Sequence, residues 1–121
     1  MSAKVEKNLC SDFLKDLNIK NDKLILKECI EGKGFGTDLP AHTARYTIAG
    51  SEAKNLEKQL MSQYDMKPLS FACCGWEARP QNVTINNLYY TVWMSSEETL
   101  EKDWNKIDKF NLSIEKMWDL P

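Results

Sequence analysis

The sequence predicts an α+β fold with a single sheet of about five strands and helices mainly on one face. Hydrophobic residues make up 42% of the 121 residues and charged residues 28%, which suits one packed domain. Three stretches have helical spacing and five are β-prone, in the order α-β-β-α-β-β-α-β. The last six elements match the ferredoxin-like β-α-β-β-α-β pattern, preceded by an extra helix and strand. We expect a flexible N-terminus over residues 1–8 and one domain over residues 9–121.

The first two elements are a short helix and a strand. Apolar residues recur with helical spacing over 9–18, which predicts an amphipathic helix. Residues 23–30 (KLILKECI) are β-rich and predict the first strand, with Ile25 and Cys29 on one face. Residues 31–41 contain three glycines and a proline and predict a long connection.

A strand and a helix follow in the middle of the chain. Residues 42–49 predict the second strand, because its apolar residues alternate with polar ones. Ser51 is a suitable N-cap for the helix that comes next. The residues expected to face the core are Ala44, Tyr46 and Ile48 of the strand and Ala53, Leu56, Leu60 and Tyr64 of the helix.

The stretch 69–77 (LSFACCGWE) predicts the strand around which the other elements are organised. Leu69, Phe71 and Cys73 alternate along 69–74 and therefore share one face. The following residues, 77–87, are polar and predict a loop.

The C-terminal part predicts a strand, a helix and a last strand. Residues 88–94 (LYYTVWM) are apolar on both faces, which indicates an interior strand. Residues 95–98 (SSEE) match a capping box and predict a third helix beginning after Ser95. Residues 111–118 predict the last strand. The third helix is expected to turn Leu100, Trp104 and Ile107 inward.

Composition excludes some classes of function. The net charge of −2 and the pI of about 5.4 do not form the basic footprint of a nucleic-acid-binding protein. No apolar run approaches the ~20 residues needed to span a membrane. The first nine residues lack an apolar signal region, so we expect either a cytosolic chain or an exported one given without its signal.

Four cysteines, at positions 10, 29, 73 and 74, allow two interpretations. In an exported protein they predict two disulfides, and in a cytosolic protein they would be reduced and buried. A bond between neighbours strains the peptide between them, so we expect Cys10 and Cys29 each to pair with Cys73 or Cys74. A zinc site is not expected, because Cys-x-x-Cys is absent from the sequence.

Candidate functional residues fall into two groups. His42, the only histidine, could act as a base for a thiol of Cys29, Cys73 or Cys74, although no motif supports this. A partner-binding surface is expected instead. The candidates are Trp76, which follows a glycine, Phe35 and Asp38 of the long connection, and the acidic residue Glu77. We assign no catalytic residue, metal or cofactor.

The run Met66–Leu69 leading into Phe71–Glu77 resembles a family of small, uncharacterised bacterial exported proteins and lipoproteins with a Cys-Cys-Gly-Trp-Glu motif. Matching features also occur around Cys10, Cys29 and Trp104. The resemblance implies an exported domain with paired cysteines and no recognised catalytic motif. This chain departs from that family in showing no signal sequence or lipid-attachment box.

The function predicted is therefore a non-catalytic protein-binding module. By analogy with small acidic bacterial proteins, it would be an immunity or inhibitor protein that masks a toxin. The alternatives are an exported envelope protein of structural role and a small thiol-dependent enzyme. Export to the periplasm or envelope is favoured over the cytoplasm, and the expected partner is another protein rather than nucleic acid or membrane.

Overall fold

A seven-stranded antiparallel sheet with one α-helix forms the part of the chain that the computed structural model describes, residues 12–33 and 40–117. The helix, α1, follows the second strand directly and is Gly50–Tyr64. A short 3-10 helix, Trp104–Lys106, precedes the last strand. The strands are β1 Ile25–Lys33, β2 Pro40–Ala49, β3 Ser70–Ala72, β4 Gly75–Glu77, β5 Gln81–Ile85, β6 Leu88–Ser96 and β7 Lys109–Met117.

The strand order is β1-β2-β7-β6-β4-β3, with β5 also paired to β6. β4 pairs with the end of β6 at Ser95, and β5 pairs with residues 88–92 of β6. The other edge of β6 is taken by β7, so β4 and β5 share one edge. The last strand of the described residues, β7, therefore lies in the interior of the sheet, between β2 and β6.

The core lies between the sheet and α1. Alternate residues of β2, β6 and β7 point to the same side because side chains alternate along a strand. The helix packs its apolar stripe over this side, and removing these side chains from water is the main stabilising contribution. The buried residues are Ala44, Tyr46 and Ile48 of β2, Tyr90, Val92 and Met94 of β6, Phe110, Leu112 and Ile114 of β7, and Ala53, Leu56 and Leu60 of α1.

Two tyrosines tie the segment before β1 to the sheet. The Tyr46 hydroxyl donates to Asp12 Oδ1 (2.8 Å) and accepts from the Phe13 backbone N–H (2.9 Å). The Tyr90 hydroxyl donates to Asp16 Oδ2 (2.8 Å). Burial, and then the hydrogen bond to the aspartate, raises the pKa of each tyrosine well above its ordinary value.

The predicted second strand and second helix are confirmed. β2 covers the predicted residues 42–49, and its expected apolar face is buried. The helix buries Ala53, Leu56 and Leu60 as expected and buries Tyr64 only partly, and it begins at Gly50 rather than after Ser51. The Gly50 backbone N–H donates to the Asp108 carbonyl (3.2 Å), which joins the helix start to the connection before β7.

The predicted fold class is wrong, because the described residues form seven antiparallel strands and one α-helix rather than a ferredoxin-like sheet of five strands with several helices. The first predicted helix, 9–18, is a series of turns over residues 14–18, and residues 9–11 lie outside the described part. Tertiary hydrogen bonds from the tyrosines, rather than a regular helix, hold this segment.

The third predicted helix is also wrong. Ser95 and Ser96 continue β6 and pair with Asn111 and Phe110, so the capping-box residues are used by the sheet. Residues 97–103 have no regular structure, and Leu100, expected inward, is 78% exposed. Trp104 and Ile107 are buried as predicted, but a 3-10 turn presents them.

The stretch expected to be the central strand is a hairpin at the edge of the sheet. β3 and β4 pair with each other, and Cys73 and Cys74 form the turn between them. Cys73 has a φ of 36°, a left-handed conformation that reverses the chain. The following polar stretch is not simply a loop, since it contains β5 and the Asn86-Asn87 turn, in which both residues have positive φ.

Candidate binding surface

The predicted partner-binding residues lie at different depths. Trp76 is partly buried, with its ring edge-on to those of Phe71 (5.4 Å between centroids) and Trp104 (5.5 Å). Its indole N–H donates to the Glu101 carbonyl (3.0 Å). Trp76 therefore joins the β3–β4 hairpin to residues 97–103, and most of its ring has protein neighbours.

The acidic candidates are only partly described. Glu77 is exposed at the end of β4, opposite Ser95 of β6. Phe35 and Asp38 lie outside the described residues. Their role in partner contact stays a prediction.

The cysteines pair differently from expectation. The structure joins the sulfur atoms of Cys73 and Cys74, the bond that strain had led us to discount. Neither of these is therefore the partner of Cys29, which is itself disulfide-bonded. Cys10 lies outside the described residues.

The residues of the hypothetical thiol site are only partly brought together. His42 lies on the same face of β2 as Ala44, the register partner of Cys29, so the imidazole is a diagonal neighbour of Cys29. Cys73 and Cys74 are at the opposite edge of the sheet. No cysteine in the described residues has a free thiol, so none of them is a ready nucleophile in this state.

The face of the sheet turned away from α1, which we call the open face, carries a second set of side chains. They alternate with the core residues along the strands and are Thr43, Arg45 and Thr47 of β2, Thr91 and Trp93 of β6, and Ser113 and Glu115 of β7. Ser113 and Glu115 in the middle of this face are nonetheless buried. The alternation of residues in the sequence predicted a second face of the sheet, but not the burial of Ser113 and Glu115.

A cleft of about 460 Å³ lies on the open face. Its described lining mixes carboxylate, amide, hydroxyl and apolar side chains: Glu77, Ala78, Pro80, Asn82, Thr91, Trp93, Glu115 and Met117. Asn82, Thr91 and Glu115 are register partners across β5, β6 and β7. The Thr91 hydroxyl donates to Asn82 Oδ1 (3.2 Å), which fixes the amide at the wall.

A larger groove of about 710 Å³ lies between residues 20–23 and α1. Its described lining is entirely polar or charged, from Lys20 to Lys23 and from Glu52, Asn55 and Gln59 of the helix. Binding sites usually combine apolar walls with a few polar groups, so the cleft beside Trp93 is the better candidate for a specific ligand.

The outer strand β1 exposes three large apolar side chains. Ile25 is 58% exposed, Leu26 43% and Ile30 47%. A β-bulge between Leu26 and Glu28 shifts the register, so that Ile25 and Ile30 point to the open face, whereas Leu26 and Cys29 point to the side of the core. The prediction that Ile25 and Cys29 share a face is therefore wrong.

Charged groups lie beside this apolar patch. Glu28 and Arg45 form an ion pair (2.8 Å) on the open face, with both side chains about half exposed. We call Ile25, Leu26 and Ile30 the β1 patch. The sequence pattern did not predict this patch, because the same apolar residues are typical of an interior strand.

The described part of the chain contains no group of three or more His, Cys, Asp or Glu residues arranged to hold a metal ion. Its helix is too short and too polar to cross a bilayer.

Comparison with known families matches residues 1–76, more than half of the chain, to the model described as a domain of unknown function (DUF4952). The match runs from the N-terminus to Trp76 of β4. Searches of curated proteins and of solved structures gave no match. These findings confirm the prediction of an uncharacterised family, while bacterial origin, export and the Cys-Cys-Gly-Trp-Glu motif stay predictions.

Proposed function

This chain belongs to the DUF4952 family, and we propose that it is a non-catalytic module that binds another protein. The β1 patch is the observation that supports the proposal most directly. A strand at the edge of a sheet presents backbone N–H and C=O groups to a partner, and exposed apolar side chains add area to be buried. Of the six exposed large apolar side chains in the described residues, three belong to this patch.

The open face extends this surface. Ile25 and Ile30 lie on the same side of the sheet as the ion pair of Arg45 and, across β7, as Trp93. A partner seated on β1 would therefore meet an apolar rim, a charged pair and then an aromatic side chain. Interfaces combine these elements, with apolar and aromatic anchors supplying most of the binding energy.

We further propose that the protein is a bacterial exported inhibitor or immunity protein whose partner is a toxin. The Cys73–Cys74 bond and the bonded state of Cys29 support an oxidising compartment, because disulfides persist there. The acidic composition supports a basic partner, because complementary charge accelerates association.

The test compares two variants of the full chain. The immobilised protein is exposed to periplasmic and cytoplasmic extracts of the cells that produce it, and the retained protein is identified by mass spectrometry. The purified partner is then titrated by calorimetry. We expect a 1:1 complex that the double change Ile25→Lys/Ile30→Lys weakens by about 100-fold, from about tenfold for each buried anchor.

The matched control is Leu100→Lys. It places the same new charge on another exposed apolar side chain, in the segment beside the β3–β4 hairpin at the opposite edge of the sheet from β1. Affinity should stay within about twofold of the wild type. Equal weakening by both variants, or no stoichiometric partner in either extract, would contradict the proposal.

A further inference from the structure

The cleft beside Trp93 combines an aromatic wall with an acidic rim. Trp93 is partly buried on the open face, and its register partner on β7 is the small Ser113. Pro80, Ala78 and Met117 add apolar walls around it. Such a lining suits an aliphatic stem that ends in a flat or cationic group.

The described lining carries two carboxylates and no basic side chain. Glu77 is exposed at the rim, whereas Glu115 is buried and makes a further contact in the structure. Glu77 is therefore the carboxylate available to an incoming group. Lys67 and Arg79 line an adjoining groove of about 390 Å³, which shares Glu77, Ala78 and Pro80 with the cleft.

We propose that this cleft receives an arginine side chain of the protein partner, with the guanidinium stacked on Trp93 and paired with Glu77. This assignment rests on the proposed function. Arginine fits better than lysine, because its planar group both stacks on an indole and forks onto a carboxylate. The amide of Asn82, held by Thr91, supplies a polar group at the wall beside the stem.

The size of the cleft agrees with this occupant. About 460 Å³ lies in the range of sites that enclose small ligands. It is more than one side chain fills, so the cleft also accommodates the backbone of the segment that carries the arginine. The cleft lies on the same face of the sheet as Ile25 and Ile30 of the β1 patch, and one partner can reach both.

The test is an NMR titration of the full chain with N-acetyl-arginine amide. The control probe is N-acetyl-citrulline amide, which has nearly the same shape without the charge. The indole N–H signal of Trp93 is assigned with Trp93→Phe, whose amide dispersion also shows that the variant folds. We expect saturable shifts of the Trp93 indole and of the Thr91 and Asn82 amides with the arginine probe only.

Variants then isolate the charge. Glu77→Gln should raise the Kd of the arginine probe about tenfold, the value of one charge-assisted pair. Glu98→Gln removes an exposed carboxylate outside the cleft and should change the Kd by less than twofold. Equal binding of the citrulline probe, an unchanged Kd in Glu77→Gln, or no shift at Trp93 would each overturn the assignment.

The titration uses no partner protein, so its failure is distinguishable from failure of the proposed function. A partner that depends on the β1 patch, together with an unresponsive Trp93, would remove the arginine assignment alone. A responsive Trp93 without any partner would remove the protein-binding proposal and leave a cleft for guanidinium compounds.

Discussion

Gly50 lies where the first turn of α1 meets the connection before β7. A Cβ at this position would lie 2.9 Å from the carbonyl carbon of Ile107 and closer still to the carbonyl oxygens of Ile107 and Trp104. These are backbone atoms of a 3-10 turn whose tryptophan is buried, so they cannot move aside as a surface side chain would. Gly50→Ala must therefore displace the helix start from this turn.

The cost follows from two contributions and one offset. Overpacking costs ~1–3 kcal/mol. Loss of the hydrogen bond from the Gly50 N–H to the Asp108 carbonyl adds ~0.5–1.5 kcal/mol. Alanine's better helix propensity returns up to ~1 kcal/mol. With the full offset these terms give a loss of ~0.5–3.5 kcal/mol in the free energy of unfolding, and the central value of ~2 kcal/mol lowers Tm by roughly 8 °C for a domain of this size.

Gly32→Ala is the matched control, because no atom lies within 4 Å of a Cβ built there. Its free energy of unfolding should stay within ~0.5 kcal/mol of the wild type, as at other surface sites. Urea and thermal denaturation, followed by circular dichroism, measure both variants. A Gly50→Ala variant as stable as Gly32→Ala would show that the helix start and the 3-10 turn do not pack rigidly.

Three further predictions concern the tyrosines and the hairpin. Tyr46→Phe leaves the buried Phe13 N–H without its acceptor and should cost ~1–3 kcal/mol in urea unfolding; a loss below ~0.5 kcal/mol would contradict this. The folded-state pKa of Tyr90 is raised above its ordinary value of 10.0, so its contribution to the free energy of unfolding is complete below pH 10.0 and is lost as the pH rises through the folded pKa. Tyr90→Phe should therefore lose less stability between pH 8 and 11 than the wild type. Equal losses in the two proteins would refute the linkage. Asn87→Ala, at a φ of 65°, should cost ~1 kcal/mol and Asn87→Gly should not, by the same denaturation assay.

Elements that depend on local pattern and on neighbours in sequence could be predicted. β2 and α1 follow one another directly, and each has one apolar face that fixes its orientation against the core. The interior strand at 88–94 was likewise visible from its apolar composition on both faces, and β6 is indeed paired on both edges. The spacing of hydrophobic residues predicts these elements, because the face that is buried is the face on which apolar residues recur.

Elements decided by distant pairing could not be predicted. The capping-box pattern after Ser95 competes with pairing to β7, and the pairing partner is invisible in a local window. The turn at Cys73-Cys74 requires a left-handed residue that is not glycine, a rare choice. The bulge between Leu26 and Glu28 inserts one residue and so turns Ile25 to the open face, and no residue pattern in the sequence indicates it.

The same limit applies to the candidate site. Glu77 was predicted for its charge, and it does line the cleft, but Trp93 was assigned to an interior strand and not to a surface. The β1 patch was missed because an edge strand and an interior strand of similar composition differ only in whether a neighbour covers them.

The position of β7 has a consequence for biosynthesis. β2 leaves the ribosome about sixty residues before β7, yet β7 is the strand that joins it to β6. Until residues 109–117 emerge, the nascent chain holds the β1–β2 hairpin with α1 on one side and β3 to β6 on the other, with no strand to join β2 to β6. Closing so long a loop is slow, and until then the unpaired backbone edge of β2 and its apolar face are open to wrong partners. Chaperone capture during translation should therefore concentrate on chains that have not yet released their last strand.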